Sequence, residues 1–262
     1  MAVRIKLVGD TLDEATARFA PDRIAAPIFI NALQKSGTHL LRNVLRMFVP
    51  NDQQYHREFI QWPNLQDNLA AFSSDRPMLS WGHLLYSDAS AFETAHCRRL
   101  VLVRDPYDWV LARARFFVSE QFRANLDHLK DGALAIEDLL NLMIFGIHNK
   151  AGSLADMYRL TVLGWLHTGS LMVRYEDLVE HANALGTAEA ESYFRAVLDH
   201  CRIAMPGNWA ERVATGADRE QSATAREKLS LGSAVIPDQL PEGQKQLVDV
   251  AAPGLRAILG YA

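Results

Sequence analysis

The sequence predicts an α/β fold of three layers, α/β/α, with a parallel sheet at its centre. Three observations carry that prediction. Apolar runs of strand length recur at residues 27–32, 78–83, 99–103 and 171–174. Stretches with helical spacing separate these runs. Glycine, hydroxyl, histidine and acidic residues gather just after the runs rather than before them, which is where parallel sheets bind ligands.

The first element, Pro27-Ile28-Phe29-Ile30-Asn31-Ala32, reads as a strand buried on both faces. It runs into Gln34-Lys35-Ser36-Gly37-Thr38, after which Leu40, Leu41, Val44, Leu45 and Met47 recur at helical spacing until Pro50. A strand–loop–helix unit of this kind points backbone N–H groups and the positive end of a helix dipole at one place, an anion site. Lys35 adds a point charge, Ser36 and Thr38 add hydroxyl donors, and Gly37 allows close backbone approach. Residues 51–75 show no period and hold Tyr55, His56, Phe59 and Trp62. They read as a loop, either substrate-facing or an ordinary surface excursion.

Residues 78–83 read as a second strand that ends in Gly82-His83. The third strand, Arg99-Leu100-Val101-Leu102-Val103, is followed by Arg104-Asp105-Pro106 and a helix from Tyr107. Pro106 suits the first helical turn, where its missing N–H costs nothing, and Asp105 suits the N-cap. Two helices between Ile136 and Thr168, broken near Gly152, lead to the fourth strand, Leu171-Met172-Val173-Arg174. Tyr175-Glu176-Asp177-Leu178 leaves that strand, and the pattern stays helical to about Arg202.

Bulk properties narrow the function. A chain of 262 residues suits one large α/β domain or two small ones, with ample material for a core. The net charge of −4 provides no basic field to recruit nucleic acid or an acidic membrane, so an anionic ligand needs a local set of donors. Two cysteines far apart, Cys97 and Cys201, make neither a disulfide framework nor a zinc site. The first twenty residues are interrupted by charge too often for a secretory segment. No apolar run approaches the about 20 residues of a membrane span. A soluble, cytoplasmic protein is therefore expected, and no coiled-coil seam specifies an oligomer.

A Walker loop, GxxxxGK[ST], would place the lysine after the glycine. Here Lys35 precedes Gly37, which disfavours an ordinary ATPase or GTPase loop. The segments LQKSGTHLL, LVLVRDPYDWV and LMVRYEDL occur in that order, each at a strand end, with WGH between the first two. On these four pieces the chain resembles the family of sulfotransferases that use 3′-phosphoadenosine-5′-phosphosulfate (PAPS). The resemblance spans about residues 27–178.

That resemblance implies a P-loop-NTPase-like sulfotransferase fold forming a single domain over 1–262, with a nucleotide-binding core at 27–178 and a helical C-terminal part at 179–262. It implies that Gln34, Lys35, Ser36, Gly37, Thr38 and His39 surround the 5′-phosphosulfate, with Lys35 at the bridging oxygen and the departing phosphate. Arg104 falls on the 3′-phosphate and Tyr175 near the nucleotide, a core role for Tyr175 being equally open. His83 stands where the family places its general base, a task suited to an imidazole, and His39 is its local rival. The product would be adenosine 3′,5′-bisphosphate (PAP), with no metal expected. The acceptor would be a hydroxyl or amine on a small molecule, lipid or carbohydrate, and not nucleic acid.

The chain also departs from the family pattern. Ala112 stands where a serine usually helps hold the 3′-phosphate; Arg113 or Arg115 could take that part, and Arg113 is the closer choice. Leu40 stands where many members stack a tryptophan on adenine, and Gln34 replaces a proline. The segment Thr224-Ala225-Arg226-Glu227-Lys228 is faintly similar to the family's closing loop and offers Arg226 to the same phosphate. Two other readings stand beside this one: a P-loop kinase of nucleosides or small metabolites, and a catalytically inactive PAP(S)-binding scaffold.

Overall fold

The computed structural model describes residues 4–5, 10–120, 122–123, 127, 130, 132–221, 231 and 235–261. Arg226 lies outside the described residues. The strands are β1 (Arg4–Ile5), β2 (Ile28–Ala32), β3 (Ile60–Gln61), β4 (Leu79–His83), β5 (Arg98–Val103), β6 (Phe122–Arg123) and β7 (Leu171–Arg174). The helices are α1 (Leu12–Phe19), α2 (Thr38–Arg46), α3 (Asp88–Glu93), α4 (Pro106–Val118), α5 (Ile136–Phe145), α6 (Leu154–Thr161), α7 (Tyr175–Asn183), α8 (Ala188–His200), α9 (Trp209–Ala217), α10 (Glu242–Ala251) and α11 (Leu255–Ile258). They fall into two compact units. One comprises Gly9–Val103 with Leu160–Ala223; the other comprises Met1–Val8, Arg104–Arg159 and Thr224–Ala262.

The first unit is built on a five-stranded sheet in the order β3-β4-β2-β5-β7, parallel throughout. Strand alternation assigns its faces. Ile28, Ile30, Ala32, Leu79, Trp81, Leu100, Leu102 and Val173 share one buried cluster with Leu41, Val44 and Leu45 of α2, Leu178 of α7 and Phe194 of α8. On the other face Phe29 meets Phe72 edge-on, with ring centroids 5.2 Å apart. The same face carries Asn31, a fully buried polar side chain. It donates to the carbonyls of Leu84 (3.1 Å) and Thr161 (3.2 Å) and accepts from Leu84 N–H (2.8 Å). With both ends satisfied, the amide is tolerated in the core and fixes the chain after β4.

β2 lies between β4 and β5, so the connections that leave its two flanks diverge. Such a switch in strand order is where open parallel sheets bind ligands. The four predicted strands are present, and β3 is a fifth. It arises inside 51–75, between 3₁₀ turns at Asn51–Gln53 and Trp62–Asn64, and pairs Ile60 with Gly82 and Gln61 with His83. Gly82 is what permits the pairing: a Cβ there would stand 2.8 Å from the Ile60 carbonyl carbon. β3 is too short to display an alternating period, which is why the sequence reads as loop there.

The second unit packs α4 with α5 and α10 and includes the antiparallel pair β1–β6. Asp105 caps α4 by accepting from Tyr107 N–H at 2.9 Å, and Pro106 occupies the first turn. Arg256 grips the same carboxylate with both Nε (3.1 Å) and Nη2 (2.9 Å). Among the described residues no helix is long and apolar enough to cross a membrane.

Candidate functional site

The loop between β2 and α2 has a backbone that few sequences adopt. Lys35 has φ +67° and Gly37 φ +93°, so two residues flanking Ser36 are left-handed. That alternation is the pattern of anion-binding backbone nests. For a lysine it is also strained, a condition that clusters at ligand sites. At Gly37 the requirement is doubled, because a Cβ would stand 2.6 Å from Tyr175 Cε2. Tyr175 thus packs its ring directly on the loop.

Ser36 is fully buried, and its hydroxyl donates to the carbonyls of Leu33 (2.5 Å) and Leu102 (3.3 Å). The hydroxyl therefore ties the loop to β5. No side chain caps α2, so the N–H donors that a helix start leaves without intrahelical partners are not spent on a cap. Thr38 is buried at the first position of the helix, and Gln34 is exposed. Leu40 packs against the hydrophobic cluster.

Lys35, His39 and His83 converge electrostatically. Burial pulls the Lys35 ammonium down to about 7. His39 falls to about 3, first through burial and then through Arg42, Lys35 and His83, with Asp10 opposing. His83 falls to about 4 because it is buried, and Lys35 adds to the effect. The carbonyl of Ala32 opposes that fall, since His83 Nδ1 lies 2.7 Å from it. A carbonyl can only accept, so Nδ1 carries the proton and the neutral ring keeps its lone pair on Nε2. The register of β2 on β4, Asn31 opposite Gly82, sets the next pair, Ala32 and His83, side by side.

Phe59, from the segment that carries β3, walls this cluster. Its ring stacks on His83 (5.4 Å between centroids, 26° between planes) and lies 5.7 Å from His39 and 6.5 Å from Trp81. About two turns further along α2 from Thr38, Arg46 is buried and bonded to Asp10 (2.9 Å), Asp13 (2.7 Å) and Gln54 (2.9 Å). The sequence offered no signal for Asp10, Arg42 or Arg46 near the loop, since their proximity is made by packing.

Arg104 and Arg113 belong to the second unit. Arg104 follows β5 in the chain, is half-buried, and its carbonyl accepts from Tyr158 Oη at 2.7 Å. Arg113 is buried; its guanidinium donates to the carbonyls of Met143 (2.9 Å) and Gly152 (2.8 Å) and lies over the rings of Trp109 and Phe117. Arg115 donates to the carbonyl of Pro237 at 2.6 Å. Among the described residues no group of three or more His, Cys, Asp or Glu is arranged to hold a metal ion.

No protein-family model matches the chain, and no curated protein matches it by sequence. Among solved structures the chain is similar to mouse sulfotransferase SULT7A1 complexed with PAP. The TM-score is 0.59 at 14% identity, and the match covers 92% of this chain and 88% of that one. The likeness is one of fold: an α/β architecture around a central, all-parallel five-stranded sheet.

Proposed function

We propose that the chain is a PAPS-dependent sulfotransferase, its two compact units acting as one domain, and that it transfers the sulfuryl group to a hydroxyl or amine. The observation that carries this reading is the convergence of Lys35, His39 and His83 beside an uncapped helix start, with the tautomer of His83 set by Ala32. Such a place suits an anion and a neutral base side by side.

In this reading the residues of the β2–α2 loop bind the 5′-phosphosulfate through backbone N–H groups, the Thr38 hydroxyl and Lys35. The Ser36 hydroxyl acts through the loop, by holding it to β5. His39, held neutral chiefly by burial, adds a ring N–H donor. As the acceptor oxygen or nitrogen attacks sulfur, its proton passes to Nε2 of His83. The bond from sulfur to the phosphate oxygen breaks, and its electron pair stays on PAP. Lys35 stabilises that developing charge, the term that dominates group transfer of this kind. Arg104 is assigned to the 3′-phosphate, where a guanidinium fork suits the geometry. Arg113 serves by fixing α4 to its neighbours. Tyr175 holds the loop from above Gly37 and borders the nucleotide.

The test is transfer of labelled sulfate from PAPS to a panel of phenols, alcohols and amines, with and without Mg²⁺. Transfer that needs no metal supports the reading. Tight PAP binding with no transfer to any member would instead favour a binding scaffold.

A further inference from the structure

Arg42 lies one turn beyond His39 on α2 and is poorly compensated. Its Nε is buried with no hydrogen-bond partner. Its guanidinium rests 4.5 Å over the Trp81 ring and 3.5 Å from Asp10 Oδ2. Asp10 is already committed elsewhere: the same oxygen accepts from Arg46 at 2.9 Å, and Oδ1 accepts from Leu12 N–H at 3.1 Å. Asp13 is likewise bonded to Arg46 at 2.7 Å, with His56 at 3.7 Å. Asp10 is therefore shared between Arg42 and Arg46, and Asp13 is engaged by Arg46. A buried donor left without a partner is costly and calls for an explanation.

Position decides which ligand. Arg42 follows His39 by about one turn of α2 and lies over Trp81, whose ring is 6.5 Å from Phe59; Phe59 in turn stacks on His83. Near Arg42 stand the rings of Phe59, Trp81 and His56, the last 5.9 Å from Trp81. Nε itself is buried, but the Arg42 side chain keeps 13% of its surface exposed, and it is that part that a ligand meets.

We propose that Arg42 recognises an acidic group (carboxylate, sulfate or phosphate) carried by the acceptor, whose ring or apolar body lies against Phe59. This inference rests on the sulfotransferase reading. It narrows the acceptor class to anionic hydroxyl or amine compounds.

The experiment is calorimetry on the PAP-loaded protein with 4-hydroxyphenylacetate and, separately, its uncharged amide. The wild type is expected to bind the carboxylate at least about tenfold tighter, the scale of one charge-assisted hydrogen bond. In R42M that preference should vanish, and in R42K, which keeps the charge and guards against a folding artefact, part of it should return. Equal binding of the two compounds by the wild type, binding of neither, or a preference that survives in R42M overturns the inference. So does an R42M variant that loses PAP rather than the carboxylate, since Arg42 would then serve the donor. PAP titrations of the same proteins separate the two claims. Failure of the wild type to bind PAP defeats the sulfotransferase reading, whereas normal PAP binding without charge preference defeats only the role of Arg42.

Discussion

His83 Nδ1 lies 2.7 Å from the carbonyl oxygen of Ala32, the last residue of the neighbouring strand. The contact makes Nδ1 the donor and leaves Nε2 as the basic nitrogen. Burial, with Lys35 nearby, holds the ring near 4, so it is neutral at physiological pH and available to take a proton. His83→Asn keeps an amide donor near Ala32 but removes the base. Its turnover should fall by about 10²- to 10⁴-fold with PAP affinity little changed. An unchanged rate in a labelled PAPS assay would remove His83 from the mechanism.

Lys35 gives a pH signature. Its folded-state pKa of about 7 lies below the ordinary 10.5. Between those values the unfolded chain binds more protons, so the contribution of Lys35 to stability rises with pH across that window. An anion at the loop reverses the shift by favouring the charged amine. PAP binding at pH 8 should therefore take up roughly one proton, read by calorimetry in buffers of different ionisation enthalpy. Lys35→Met should abolish the uptake and weaken PAP by about ten- to a hundredfold.

Gly37 and Tyr175 should be coupled. Gly37→Ala puts a Cβ into the Tyr175 ring and an alanine at φ +93°, costing about 1–3 kcal/mol for the backbone alone. Tyr175→Ala in the same chain should recover the steric part and not the backbone part. Denaturant unfolding of the two single variants and the double variant measures that coupling.

Asp105 performs two tasks that can be separated. It caps α4 through Tyr107 N–H and pairs with Arg256. Asp105→Ala should cost about 1–2 kcal/mol, as loss of an N-cap does. Asp105→Asn keeps the cap and loses the ion pair, so it should lie closer to wild type. Thermal unfolding distinguishes them.

The fold was legible where the sequence has period and punctuation. The buried runs of β2, β4, β5 and β7 and the helix entrances at Thr38 and Pro106 follow from apolar spacing and capping chemistry. β3 was not legible, because two residues cannot show alternation and its pairing depends on the bare backbone at Gly82. The loop residues Lys35 to Thr38 could be named from sequence, but not the bonding of the Ser36 hydroxyl to Leu33 and Leu102. Nor could the sequence tell which face of α4 carries Arg113; packing sends its guanidinium to the carbonyls of Met143 and Gly152. Phe59 and Arg42 reach the site through packing between β4, α2 and the chain before β3, contacts with no local pattern.

The most direct measurement of the central claim is a calorimetric comparison of PAP in EDTA with ATP in Mg²⁺. The account predicts PAP binding in the micromolar range without metal, and binding of ATP–Mg²⁺ that is far weaker. Preference for ATP–Mg²⁺, or no binding of PAP, would contradict it.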